Sequence, residues 1–203
     1  MTQFSRDNWD DTHAAHMAAR EQFYPKLWPN ALRLQFVDVT GAVEDLKYGI
    51  DCIVAVTVAG FRAPLKFFIQ ERFRKPGYQS FKDATITEWN TVTGLPSELH
   101  KIAAQIFVYG YYDRPTNRIL GALAINVPQM IREIGEGRLQ YERDERSSKD
   151  QDFIAVKWED LYDAQAIMHS TINLSKSVET LPEIVSKSRY TQEECDYWGL
   201  TNG

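Results

Sequence analysis

Sulfur is scarce in this chain, and long apolar runs are missing. Its 203 residues include two cysteines, Cys52 and Cys195, too few for a disulfide framework. Cys52 lies in a predicted buried strand, so free thiols in a reducing compartment are expected. No stretch approaches the roughly 20 consecutive apolar residues that a membrane helix requires, so no membrane partner is expected. The opening "MTQFSRDNWDD" has neither the basic flank nor the apolar core of a secretory leader, which predicts a cytoplasmic protein. No glycine-rich phosphate-binding signature is present. No serine or cysteine has a recognisable base and orienting group, and there is neither an internal repeat nor a low-complexity tract. An excess of positive charge is lacking too. The net charge of -5 argues at first against nucleic acid, whose phosphates are held mainly by Lys and Arg.

What is present has an uneven distribution. A composition of 43% hydrophobic and 25% charged residues is that of an ordinary globular protein, and the length suits a single domain spanning 1–203. Residues 62–82 carry Arg62, Lys66, Arg72, Arg74, Lys75 and Lys82 against the single acid Glu71, a local charge of +5 that leaves -10 for the remainder. A solvated charge run is the plainer account of such a segment, and a phosphate-binding face is the functional one.

Periodicity predicts a helix over 7–28, ending near Pro25, with Ala14, Met17, Ala18, Glu21 and Tyr24 on one stripe. Strands are expected over 31–39, 48–60 and 61–75, with a turn near Gly60, and again over 83–89. A helix over 97–105 follows, then strands flanking the turn "RPTN", then a short helix from Val127 with proline near its start and glycine after its end. Residues 135–152 read as an exposed loop, 153–158 as a strand, 159–171 as a helix and 173–203 as weakly patterned short helices. The order implies an α/β or α+β domain with a mixed central sheet flanked by helices. Its core would span about 7–130, with a C-terminal strand and helical extension over about 153–203.

Three acids sit where acids are unusual. Glu21 falls on the apolar stripe of the first helix, and Asp51 is inside the strand-like "GIDCIVAV". Glu71 shares the face of "FFIQERFRK" that holds Phe67, Ile69 and Phe73, because side chains alternate along a strand. A desolvated carboxylate needs a partner or a metal. A shared hard cation with oxygen ligands would satisfy all three, whereas taken singly they read as a rim acid, a turn-end acid and half of an ion pair.

The sequence "GID" in one strand, a turn, "IQERFRK" in the next and a preceding helix bearing a glutamate together resemble the PD-(D/E)XK nuclease superfamily. The resemblance covers about residues 10–112. It implies a restriction-endonuclease-like core and a Mg²⁺-dependent endonuclease, with Mn²⁺ as a substitute, acting on nucleic acid and foremost DNA. Asp51 matches the family's aspartate and Glu21 the acid of its first helix. The family's Glu-x-Lys becomes Gln70-x-Arg72, with a neutral amide oxygen as ligand and a guanidinium that is a poor base. Glu71, turned inward by a bulge or a register change, is the alternative acid. The implied metal ligands are Glu21, Asp51 and Gln70, and the implied phosphate contacts are Arg72, Arg74, Lys75 and Lys82.

Asp83, Glu98 and Lys101 could line the same cleft, although a cap and a surface ion pair are their commoner roles. His13 and His16, beside Asp10, have the i, i+3 spacing of a transition-metal pair but lack a third convincing ligand. The aromatics of "FVYGYY" suit a core strand better than base stacking. The function expected is metal-dependent phosphodiester hydrolysis; the alternative is an inactive nuclease-like domain that binds nucleic acid or a protein partner. A homodimer or a larger complex is open.

Overall fold

A computed structural model describes residues 3–144 and 151–172. The predicted short helices of 173–203 lie outside the described residues. The chain opens with α1 (Gln3–Gln22) and, after a break at Phe23, the single turn α2 (Tyr24–Leu27) with Pro25 near its start. Then come β1 (Arg33–Asp38), α3 (Val43–Tyr48), β2 (Cys52–Thr57) and β3 (Leu65–Arg74). A 3-10 segment, Pro76–Phe81, leads to β4 (Asp83–Asn90), β5 (Leu95–Pro96) and α4 (Glu98–Lys101). The hairpin of β6 (Ile106–Asp113) and β7 (Arg118–Asn126) is followed by α5 (Val127–Gly135) and β8 (Glu142–Asp144). The remaining described elements are β9 (Gln151–Lys157), α6 (Trp158–Asp163) and β10 (Ile167–Ser170).

The strands form two sheets. Six make a mixed sheet in the order β1-β2-β3-β6-β7-β10, and four make an antiparallel sheet in the order β5-β4-β9-β8. The one parallel pairing in the larger sheet joins β3 to β6, with Gln70 opposite Phe107 and Arg72 opposite Tyr109. Such a pairing requires a crossover, and here the crossover contains β4, β5 and α4.

Side-chain alternation sorts the sheet into two faces. Ile69, Ile106, Val108, Ala122 and Ala124 pack with Ala19, Phe23, Tyr24 and Leu27 of the helices. Phe107, Tyr109, Tyr111, Leu123 and Ile125 point the other way, onto Ala84, Ile86, Ile154 and Val156 of the smaller sheet. The mixed sheet is therefore the middle of three layers. On the helix side the backbone of β6 comes close to its neighbour: a Cβ at Gly110 would stand 2.8 Å from the Gly121 carbonyl oxygen and 3.0 Å from the Phe73 ring. Only glycine fits there without displacing backbone.

Several expectations change at this level. Among the residues of α1 whose burial is described, Ala15, His16, Ala18 and Ala19 are buried, while Met17 is exposed and Glu21 faces solvent. The short helix α3 occupies residues expected to join two strands, and it ends in Gly49 at φ +57°, a left-handed stop that glycine permits. Asp51 stands just before β2 rather than within it, although its N–H still donates to Ile69 O at 2.8 Å and its carbonyl accepts from Val39 N at 2.9 Å. The exposed loop of 135–152 contains β8 and the buried Leu139, and its residues 145–150 fall outside the description. The helix expected over 159–171 stops at Asp163. Gln165 takes φ +54°, and Ile167, Met168, His169 and Ser170 form an edge strand on β7. Tertiary pairing has overridden local helix propensity there.

Candidate functional site

Asp51 and Gln70 meet between the middle sheet and the smaller one. Because Cys52 points to the helices, Asp51 points away from them, toward the face that carries Gln70, Arg72 and Arg74. Both residues are buried, at 6% and 7% exposure. One Asp51 oxygen, Oδ2, accepts from Gln70 Nε2 at 2.8 Å and from the Glu71 N–H at 2.8 Å. Gln70 Oε1 is buried with no hydrogen-bond partner. Gly49 lies beside it, and a Cβ on that glycine would come within 3.3 Å of this oxygen.

Burial governs Asp51. Loss of solvation raises its pKa from 3.8 to about 8, against the pull of the Glu71 N–H; the charges of Asp45, Glu71 and Glu98 push in the same direction as burial. Asp51 is thus a carboxyl group that favours its proton at neutral pH unless a positive charge arrives.

Arg72 continues the same face and is fully engaged. One nitrogen donates to Glu98 Oε2 at 2.6 Å, another donates to the Thr85 carbonyl at 3.1 Å, and the guanidinium lies 5.8 Å from the Phe153 ring centre. Glu98 Oε2 also accepts from the Thr87 N–H at 3.2 Å and the Thr87 hydroxyl at 2.9 Å. The pair ties β3 to the smaller sheet and α4. Arg74 is half-buried, donates to the Tyr109 hydroxyl at 3.4 Å and stacks 3.9 Å over the Tyr78 ring. Lys75 and Lys82 are exposed at the two ends of the 3-10 segment. Lys101 Nζ donates to the Leu46 carbonyl at 3.0 Å, and Asp83 is buried at the start of β4.

Glu71 is on the other face. Tyr24 OH donates to its Oε1 at 2.6 Å, and His16 Nδ1 stands 3.5 Å from its Oε2. Burial raises the Glu71 pKa, opposed by His16, Tyr24 and Arg20. The partner of this acid is therefore a tyrosine and a histidine of the helical layer, with no bulge needed to accommodate it. A cavity of about 280 Å³ lies above, lined by Thr12, His13, His16, Asp38 and Thr40.

The residues named from sequence therefore divide. Asp51 and Gln70 come together, with Arg72 and Glu98 adjoining. Glu21 is exposed on α1, and among the described residues no three His, Cys, Asp or Glu side chains are arranged to hold a metal. Glu21 is on the exposed side of α1 because the buried stripe of that helix is turned from the one the sequence suggested. Sequence reasoning missed the closing of Arg72 on Glu98, which depends on a crossover that no local pattern records. Tyr78 and Phe81 are exposed, at 42% and 57%, in a segment too short to show periodicity.

No family model matches this chain, and no curated protein sequence matches it. Among solved structures, D212, a nuclease from a fusselovirus, aligns over 82% of this chain and 94% of its own, at 9% identity and a TM-score of 0.32. A likeness of that size does not establish a shared fold, and activity has to be argued from the site itself.

Proposed function

We propose that this protein hydrolyses phosphodiester bonds of nucleic acid, with DNA as the first candidate, using a divalent cation held by Asp51 and Gln70. The observation carrying the proposal is the buried oxygen pair: an Asp51 carboxyl lifted to about 8 by burial, beside a Gln70 Oε1 that has no donor. Two such oxygens fit Mg²⁺, or Mn²⁺ in its place, because a small hard cation takes one or two protein oxygens and keeps several waters. The cation would supply Lewis-acid stabilisation and a water of lowered pKa. Asp51 must lose its proton for this role, so metal binding strengthens with pH up to about 8.

Arg72 cannot act as a base, since guanidinium does not release its proton in a protein. Its part is positional, holding β3 against Glu98. Phosphate contacts then fall to Lys75 and Lys82, with Arg74 behind them. The resemblance of "GID" and "IQERFRK" to the PD-(D/E)XK pattern supports the same assignment, with Gln70 standing for the acid.

A second reading, a nuclease-like domain that binds without cutting, is favoured by one feature. Gln70 Nε2 already donates to Asp51, and Arg72 already has an acidic partner, so two of the groups that would serve the chemistry are engaged without any cation. Incubating the protein with plasmid, single-stranded DNA and RNA in Mg²⁺, Mn²⁺ or EDTA separates the two. The nuclease reading expects metal-dependent cleavage that Asp51→Asn abolishes and that Gln70→Glu preserves or raises, with tighter Mg²⁺ binding by calorimetry. Full activity in Asp51→Asn would sink the assignment. Salt-sensitive binding with no cleavage under any condition would select the second reading.

A further inference from the structure

The segment between β3 and β4 brings together paired exposed aromatic rings and cations. Tyr78 and Phe81 are exposed at 42% and 57%, and their ring centres are 6.2 Å apart at an interplanar angle of 35°. Their position is held by backbone. Pro76 starts the 3-10 segment, Tyr78 N donates to Lys75 O at 3.1 Å, and Lys82 closes it in the left-handed region at φ 50° with its N–H toward Gln79 O at 3.4 Å.

The Arg74 guanidinium lies 3.9 Å from the Tyr78 ring centre and is itself tethered to Tyr109 OH at 3.4 Å. That stack fixes the tyrosine ring and places a positive charge against one face of it. Lys75 and Lys82 are exposed at either end, and among the described residues neither makes an ion pair. The acids closest in sequence are withdrawn from this surface. Glu71 is buried on the helix side of the sheet against Tyr24, and Asp83 is buried beneath the segment's end.

We propose that Tyr78 and Phe81 form a stacking platform for single-stranded nucleic acid, with Lys75, Lys82 and Arg74 holding its phosphates. The choice of nucleic acid as partner rests on the function proposed above; the choice of a single strand rests on the rings. Bases in a duplex already have both faces covered by their neighbours, whereas an unpaired base offers a free π-face to an aromatic side chain. Every base has such a face, so the platform reads no sequence. Its position follows from β3. Gln70, Arg72 and Arg74 lie on one side of the strand, and Arg74 is about 13 Å along it from Gln70 at the usual strand rise, so a strand lying on the rings would have the Asp51 and Gln70 oxygens within a few nucleotides.

The test uses the full chain in EDTA, with fluorescence anisotropy of a labelled oligothymidylate and of a duplex of equal length. The expected result is tighter binding to the single strand, weakened about tenfold by Tyr78→Ala and by Phe81→Ala. Tyr78→Phe should restore affinity, since stacking needs the ring and not the hydroxyl. Both alanine variants should keep the salt slope, whereas Lys75→Gln with Lys82→Gln should lower it by about 1.4 on the single strand. These positions are exposed, and an unchanged thermal midpoint confirms that each variant folds. Equal affinity for the duplex, or unchanged affinity in both alanine variants, overturns the platform. Binding to the strand in EDTA without cleavage in any metal removes the nuclease reading and leaves the platform standing. Cleavage with no loss of affinity when the rings are removed does the reverse.

Discussion

On the helix side of β3, the Glu71 carboxylate is capped by a tyrosine hydroxyl at 2.6 Å with a histidine at 3.5 Å. One strand away, on the opposite side, Asp51 receives an amide and a backbone N–H on the same oxygen, both at 2.8 Å. Both acids are buried, and burial raises the pKa of both. Their surroundings differ in kind. Glu71 sits among ring-bearing neighbours, with Tyr24 packed on Trp28 and Phe36, while its Oε2, 3.5 Å from His16 Nδ1, has no hydrogen-bond donor. Asp51 sits beside an amide oxygen that has no donor at all. A buried polar group without a partner is costly, and each one calls for an explanation such as a bound water or ion. The difference teaches that neither burial of an acid nor an unpartnered oxygen beside it marks a functional site by itself; the chemistry of the neighbouring side chains, rings on one side and an amide and guanidinium on the other, decides what each acid can hold.

The largest effect is expected on the Asp51 side, where Arg72→Met would leave Glu98 buried without its cation. A loss of about 3 kcal/mol is expected, measured by urea unfolding. Glu98→Gln should cost less, since Arg72 keeps the Thr85 carbonyl. If Arg72→Met were neutral, the tie between β3 and the smaller sheet would not be structural.

On the Glu71 side, Tyr24→Phe keeps the ring and removes the hydroxyl donor, for an expected cost of about 2 kcal/mol. Tyr24 is fully buried and its own pKa is raised well above 10.0, chiefly by burial and then by Glu71, so it remains a donor at any working pH. No effect on metal-dependent cleavage is expected beyond that stability loss. A selective loss of cleavage would move the functional site to the helix side and break the comparison.

A third expectation concerns pH. Between 3.8 and about 8 the folded Asp51 retains a proton that the unfolded chain has released. Stability should therefore fall as pH rises through that window, by at most about 1.4 kcal/mol per unit, and level off above it. Asp51→Asn removes this share of the slope, while Glu71, raised in the same direction, keeps its own. Urea midpoints at about pH 6 and about pH 7 in EDTA would read the change, which addition of Mg²⁺ should counteract in the parent protein only. The smallest effect belongs to the partly exposed pair of Arg20 and Asp38 at 3.1 Å, where Asp38→Asn should cost under about 1 kcal/mol.

Strand β3 was legible from its alternation alone. The assignment of Phe67, Ile69, Glu71 and Phe73 to one face and Gln70, Arg72 and Arg74 to the other matches the packing, because period-2 patterning is a local property. The mixed sheet was legible for the same reason, whereas the second sheet packed on its other face was not. Glu21 was misread because alanines dominate α1, so that a stripe of small residues turns on its axis with little hydrophobic signal to fix it. The β10 strand was misread because its residues become a strand only by adding to β7, and α3 because six residues of helix are too few to show a period. Glu98 as the partner of Arg72 depends on a pairing across 26 positions, and no spacing rule reaches that far.

The crossover between the parallel strands also sets the order in which the protein can be completed. Its β4 depends for pairing on β9, with Asp83 opposite Lys157 and Ile86 opposite Ile154. A ribosome must therefore deliver most of the described chain before β4 has that partner, and until then one long edge of β4 is open to other strands. Non-local pairing of this kind slows folding and exposes edges that invite intermolecular association. The layer that covers Asp51 and Gln70 is for this reason among the last to close during synthesis, and shortening the chain before β9 should yield aggregates rather than a smaller working domain.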